Sequence, residues 1–302
     1  MDARPPLLRP EPGPRTLKVT PWGGRRLARL RGAASEYADA TVGESWEFST
    51  LPGHESLALG RPLSAVLGGP LPFLAKLIDT ATPLSVQVHP DDDAATGTPG
   101  KEEAWIILDA EPGARVLAGL APGVDAPTLA RAVSRANADP SAHGRALLSC
   151  LRSVPVRAGM VVLIPARTVH AIGGGILLAE IQQPSDCTYR LHDYGSERPI
   201  HVERALATLD PAAQPRIWDP AARGPARSRL HGKHLRLDVL GPGRHELPLE
   251  VDPAPPLLLI AQRGACQIGA RETLAAGELA LALAGPLALT VEGQVVAGTL
   301  AR

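Results

Sequence analysis

Aromatic side chains are scarce in this sequence: four Trp, three Tyr and two Phe among 302 residues. A core must therefore be built from Leu, Val, Ile and Ala. With 44% hydrophobic residues there are enough of them for one large domain or two modest ones. Cysteine is equally rare. Cys150, Cys187 and Cys266 are odd in number, far apart and in no CxxC pair, which argues against a disulfide scaffold and a Cys-type zinc site and fits a reducing cytoplasm. Net charge is absent too, since 31 Lys and Arg balance 31 Asp and Glu. Such a chain lacks the basic surface with which a general nucleic-acid binder displaces counterions. Long apolar runs are also missing: the longest, Leu279 to Val291, is too short to span a bilayer and is broken by Gly285 and Pro286. Residues 1–16 hold five prolines and no apolar stretch, so they read as an extended arm and not as a signal peptide. The expectation is a cytoplasmic protein with neither a nucleic-acid nor a membrane partner.

What is abundant is punctuation. Thirty-one prolines and 30 glycines are spread along the chain, the pattern of many short strands and turns. From Pro21 to Ala110 short apolar runs alternate with turn residues. A helical interlude follows, with Asp125 as cap, Pro127 in the first turn, and Leu129 and Val133 on one face. A second short helix is expected from Ser141 to Leu151. Strands resume at Met160 to Ile164 and continue through Glu180 to Gln183. The Pro-, Ala- and Arg-rich stretch 210–229 reads as a connection between domains, and four or five strand-like runs follow it. An internal echo links RAGMVVLIPARTVHAI, from Arg157, to AAGELALALAGPLALT, from Ala275. Aligning Gly159 with Gly277 sets Ala288 opposite His170, so chemistry belongs to the first copy.

The strongest local signal is LSVQVHPDD, Leu84 to Asp92. Alternation puts Ser85, Gln87 and His89 on one face of a strand and Leu84, Val86 and Val88 on the other. Such a polar face meets solvent in most strands and lines a polar interior in a few. His89, a glutamate at 102 or 103, and His170 together make two histidines and a carboxylate on separate strands. That set suits zinc with an open position, and equally the facial triad of a non-haem Fe(II) oxygenase. Gln87 could add an oxygen donor. Glu180, amid Leu and Ala, calls for a buried partner. Lysine is nearly absent: Lys18, Lys76, Lys101 and Lys233 stand against 27 arginines. Two of the four, Lys76 and Lys101, lie close to these ligands, where an ammonium serves anion binding or proton transfer. Arg190 is the guanidinium assigned to the same site, with a surface ion pair to Asp193 as the plainer alternative.

Taken in order, PWGGRRL, VGESWEFS, PFLAKLID, LSVQVHPDD, GKEEAWIIL, GMVVLIPARTVHAIGGG, AEIQQPSDCTYRLHDYG and HVERAL resemble the type I mannose-6-phosphate isomerases in their shorter bacterial form. The resemblance spans roughly residues 20 to 206. It implies a mainly β chain: a cupin (jelly-roll-like) barrel at 17–209 with a helical insertion at about 125–151, then a linker at 210–229. A smaller cupin-like β domain without metal ligands would follow at 230–302. It also implies one zinc ion per chain, held by Gln87, His89, Glu103 and His170. Arg190, Lys101 and Glu180 fall at catalytic positions, and Ser85 and Lys76 on the substrate-facing wall. The implied reaction interconverts mannose 6-phosphate and fructose 6-phosphate through a cis-enediol(ate), in a monomer or weak homodimer. A non-haem Fe(II) cupin oxygenase and a non-enzymatic sugar-phosphate-binding cupin are the alternatives. One departure stands out: Arg167-Thr168 occupies a place where the family commonly has Gly-Thr.

Overall fold

The structure, a computed structural model, describes residues 7–11, 16–139, 144–221, 226–247, 256–283 and 286–300. Its centre is a seven-stranded antiparallel sheet in the order Arg216–Trp218, Val161–Ile164, Glu103–Ala110, Ile176–Gln182, Leu74–Thr80, Leu17–Gly24 and Val42–Phe48. A five-stranded sheet faces it, in the order Leu151–Pro155, Arg115–Leu120, His170–Ile172, Val86–Val88 and Tyr189–His192. Between the two lies an aliphatic core around Trp105, Ile107, Val116, Val162 and Leu178. Helices Ala126–Ala138, Arg145–Leu148 and Val202–Thr208 cover the outer face of the smaller sheet, packing on Val86, Val88 and Leu191.

A second pair of sheets follows. The six-stranded one runs Leu7–Leu8, Leu279–Ala282, Leu257–Arg263, Gln294–Leu300, Leu235–Leu240 and Arg227–His231. The four-stranded one runs Gly243–Leu247, Leu287–Val291, Cys266–Ile268 and Glu272–Leu274. The six-stranded sheet packs on the outer face of the central sheet through Leu235, Leu237, Ile260 and Val296. The central sheet is thus covered on both sides, which is why Leu74–Thr80 is buried at every position, its polar Lys76, Asp79 and Thr80 included. The architecture is mainly β, a cupin arrangement of two jelly-roll-like barrels.

The internal echo extends to topology. In the first barrel Val161–Ile164 and Ile176–Gln182 flank Glu103–Ala110; in the second, Leu279–Ala282 and Gln294–Leu300 flank Leu257–Arg263 in the same way. Gly159 and Gly277 both take positive φ, 97° and 84°. Register then equates positions. Ile164 pairs with Glu103 as Ala282 pairs with Leu257, and His170 pairs with Gln87 as Ala288 pairs with Glu246. Glu246, Leu257 and Ala288 thus replace Gln87, Glu103 and His170 in the second barrel, so among the described residues the second barrel does not repeat this donor set.

Several boundaries differ from the sequence reading. The arm is more than extended chain: Leu7–Leu8 joins the second barrel's sheet, while residues 1–6 and 12–15 lie outside the described residues. The stretch 210–229 is no plain linker, because Arg216–Trp218 adds an edge strand to the central sheet and Arg227 opens the next one. Pro215 and Pro220 confine that edge strand to three residues and hide it. The first insertion helix is capped as expected, Asp125 accepting from the Thr128 N–H at 2.8 Å. The second is shorter than expected, Arg145–Leu148, since Gly144 sits at φ 62° and Leu151 already begins a strand; residues 140–143 lie outside the described residues. Nine strands follow Pro220 among the described residues, not four or five, and Leu7–Leu8 is the tenth of the second barrel. Three-residue strands such as Cys266–Ile268 are too short to show a period.

Candidate active site

Strand pairing sets two rows of side chains against each other. On the central sheet Trp46, Lys76, Glu180 and Trp105 stand in register across four neighbouring strands. On the opposite sheet Ala118, His170, Gln87 and Arg190 do the same. The polar face of the 85–89 segment therefore points inward, while Val86 and Val88 pack outward on the helices. Leu84 departs from that alternation and joins the barrel core, because the regular strand begins only at Val86.

His89, Glu103 and His170 converge, each about 1% exposed. His89 Nε2 lies 3.4 Å from Glu103 Oε2, and His170 Nε2 lies 3.3 Å from Glu103 Oε1. Each imidazole turns Nδ1 to a backbone carbonyl at 2.9 Å, His89 to Cys187 and His170 to Thr168. Those bonds place the proton on Nδ1 and leave Nε2 as an acceptor. Glu103 Oε1 is buried without a hydrogen bond among the described residues and faces the His170 Nε2 lone pair, an arrangement that a bound cation would satisfy. Gln87 brings a fourth donor, its amide nitrogen 3.2 Å from His170 Nε2 and 3.4 Å from His89 Nε2. A half-turn of that amide presents Oε1 in the same place and lets nitrogen donate to Ser85 Oγ, now 3.0 Å from Oε1. The set fits a divalent metal of nitrogen and oxygen preference. Lys101 Nζ reaches the same centre, 3.0 Å from His89 Nε2 and in contact with Glu103 Oε2.

Of the two adjacent glutamates, the structure brings Glu103 to the histidines. Glu102 is buried on the other side, against the second barrel. Glu180 has the partners its burial demands: it accepts from the Trp105 indole N–H at 3.0 Å and lies 3.7 Å from Lys76 Nζ. Arg190 does not pair with Asp193, which takes Arg198 in a two-pronged bond of 2.7 and 2.6 Å. Arg190 Nε is buried and without a hydrogen bond among the described residues. Sequence reasoning gave no role to Glu44 and Trp46. Lys76 lies 3.7 Å from Glu44 and 4.5 Å from the Trp46 ring, and the indole donates to Glu44 at 2.7 Å. Their alternation in VGESWEFS was the available signal. Arg167 stands at φ 66°, a left-handed position that favours the glycine usual in the family. Its N–H donates to the His89 carbonyl at 2.7 Å and its Nε to Thr208 O at 2.9 Å, contacts that hold the strained residue beneath a candidate ligand.

Burial and then the Lys101 charge push His89 down to about 3; burial also lowers His170. Burial would raise Glu103, but Lys101 and the two histidines outweigh it and hold the carboxyl well below its usual range. Burial opposes the Lys101 ammonium, yet the carboxylates of Glu103 and Glu180 overcome it and raise its pKa. Glu180 is raised, chiefly by burial, with Glu103 and Glu44 adding to the effect. These directions set a stability profile. A histidine kept neutral in the fold takes a proton on unfolding below its ordinary 6.5. The chelated protein is therefore expected to lose stability from about pH 6.5 downward. Glu103 steepens the loss below its ordinary 4.5, while Glu180, raised in the fold, takes its proton there first and offsets part of it. Thermal melts of chelated protein between about pH 8 and pH 4 check this, and a flat midpoint contradicts it.

Among the described residues no helix is long and apolar enough to cross a membrane. A family model described as phosphomannose isomerase type I, catalytic domain, matches residues 36–109. A mannose-6-phosphate isomerase of Streptococcus mutans is 31% identical over 246 residues, 73% of this chain and 72% of that protein. The solved mannose 6-phosphate isomerase of Bacillus subtilis has TM-score 0.73 at 21% identity, covering 98% of this chain and 100% of that one. A solved mannose 6-phosphate isomerase bound with zinc and yttrium has TM-score 0.70 at 16% identity, covering 99% and 100%. At such identities the two structures speak for the fold.

Proposed function

The chain belongs to the type I mannose-6-phosphate isomerases, and from that premise we propose that it interconverts D-mannose 6-phosphate and D-fructose 6-phosphate with one zinc ion held by Gln87, His89, Glu103 and His170. The observation that carries the reading is the convergence of two acceptor imidazole nitrogens on the Glu103 carboxylate beside Lys101. Membership favours this over the oxygenase and binding-protein readings that two histidines and a carboxylate alone admit. The zinc in a structural relative supports the choice of metal.

When bound, zinc supplies a Lewis acid for the sugar oxygens. The rest falls to the chain's own side chains. The reaction moves a proton between C2 and C1 through a cis-enediol(ate), whose negative oxygen needs positive partners fixed in advance. Lys101, kept an ammonium by Glu103 and Glu180, is one. Arg190 is the other, its planar fork suited to paired oxygens and its Nε uncommitted. Glu180 is the carboxylate assigned to proton transfer, since a raised pKa makes it a better base while Lys76 steadies its charge. Ser85 and Lys76 form the substrate-facing wall. With no net charge on the chain, the anionic sugar phosphate is drawn by these local cations and not by a global field.

Mannose 6-phosphate incubated in D2O tests the reaction. The expected product is fructose 6-phosphate carrying deuterium at C1, seen by mass spectrometry and NMR. Product without deuterium from the first turnovers onward points to direct C2-to-C1 transfer, by a hydride shift or by a base shielded from solvent, and absence of product overturns the proposal.

A further inference from the structure

Glu102 lies between two active-site residues, yet the site does not use it. It is about 1% exposed, and adjacent residues of an extended segment face opposite ways, so it points out of the first barrel. It meets the hairpin tip between Arg227–His231 and Leu235–Leu240. Three consecutive N–H groups there donate to its carboxylate, Lys233 at 2.8 Å, His234 at 2.9 Å and Leu235 at 2.7 Å. This is a backbone nest for an anion. At Gly232 a Cβ would stand 2.1 Å from Glu102 Oε1, so a side chain there would displace the carboxylate. The main chain of Glu102 is fixed as well: its N–H donates to Gln183 Oε1 at 2.9 Å and its carbonyl accepts from the Gln183 N–H at 3.0 Å. Asp92 accepts from Gly100 at 2.7 Å and from the Gln183 amide at 2.9 Å, tying the loop after His89 to the same knot. Lys233 bonds Asp91 at 2.9 Å at the rim.

We propose that Glu102, gripped by the second barrel's hairpin tip, is a positioning residue that holds Lys101 and Glu103 in the geometry needed for metal binding and turnover. Any rotation of this segment would swing Lys101 and Glu103 out of the first barrel as Glu102 left its nest. The second barrel then has a part in the active site of the first. The kinetic consequence rests on the isomerase reading; the consequence for the metal site does not.

The test compares full-length parent, Glu102→Gln, Gly232→Ala and Lys233→Ala, each loaded with Co2+ and separately with Zn2+. Glutamine sets an amide donor against the nest's N–H groups, alanine at 232 presses on the carboxylate, and Lys233→Ala leaves the nest intact. The first two variants are expected to shift the Co2+ visible bands and to speed metal loss to a chelator. Their kcat should fall about tenfold to a hundredfold, as for other residues that orient metal ligands, with KM for mannose 6-phosphate within about threefold of the parent. Lys233→Ala should match the parent. A folded Glu102→Gln with the parent's spectrum, release rate and kcat overturns the proposal, because Glu102 then only joins the barrels. If that variant does not fold, Gly232→Ala decides by the same readouts. A parent that binds Co2+ yet turns over no sugar phosphate overturns the isomerase reading, and the spectra and release rates still judge Glu102.

Discussion

Replacing His170 by Gln is expected to abolish tight zinc binding and to lower mannose 6-phosphate turnover by ~1,000-fold or more, since a Lewis acid contributes several kcal/mol of transition-state stabilisation. His170 is 1% exposed, packs its ring edge-on to Trp105 with centroids 5.5 Å apart, and bonds the Thr168 carbonyl through Nδ1. Glutamine keeps much of that volume, so the loss reads on the metal more than on the core. Two measurements separate these. The parent's melting temperature should rise with added zinc, because a ligand that binds only the folded state stabilises it by mass action. The variant's should not, while the chelated proteins melt within a few degrees of each other. A variant that keeps both the zinc-induced rise and its activity removes His170 from the metal site.

Arg190→Ala is expected to cut kcat about a hundredfold to a thousandfold with little change in KM, the pattern for a donor aimed at charge that develops only in the transition state. The reason lies in what the guanidinium does not do. Asp193, its nearest acidic neighbour in sequence, is taken by Arg198, and the Arg190 Nε is buried without a hydrogen bond among the described residues. Burial lowers the pKa of the guanidinium, with Arg198 adding to the effect. Arg190→Lys should recover little, because a point charge cannot reproduce a planar pair of donors. Steady-state kinetics decide. A raised KM with kcat intact would instead make Arg190 an anchor for the substrate's phosphate.

Much of this was legible because the site is written in alternation. Gln87 and His89 share a face, a histidine opens the short apolar strand His170–Ile172, and lysine is rare enough to single out Lys76 and Lys101. Glu102 against Glu103 was not legible from spacing. Two neighbouring carboxylates differ only in which way the strand faces, and that is set by a hairpin 131 positions further on. The row Trp46–Lys76–Glu180–Trp105 was hidden for a related reason. It is assembled by neighbours that are distant in sequence, and no single segment displays it. The second barrel's strands were undercounted because three residues carry no period. Arg167 shows the reverse case: the departure from the family's glycine was visible, but its left-handed backbone and its grip on the His89 carbonyl were not.

On the proposed reading these side chains build a zinc-dependent isomerase. The most direct measurement is a coupled assay of fructose 6-phosphate formation from mannose 6-phosphate, made on the protein as purified, after chelation, and after zinc is restored. Activity lost on chelation and recovered with zinc is the predicted result. Absence of turnover in all three states, with metal bound by elemental analysis, would contradict it.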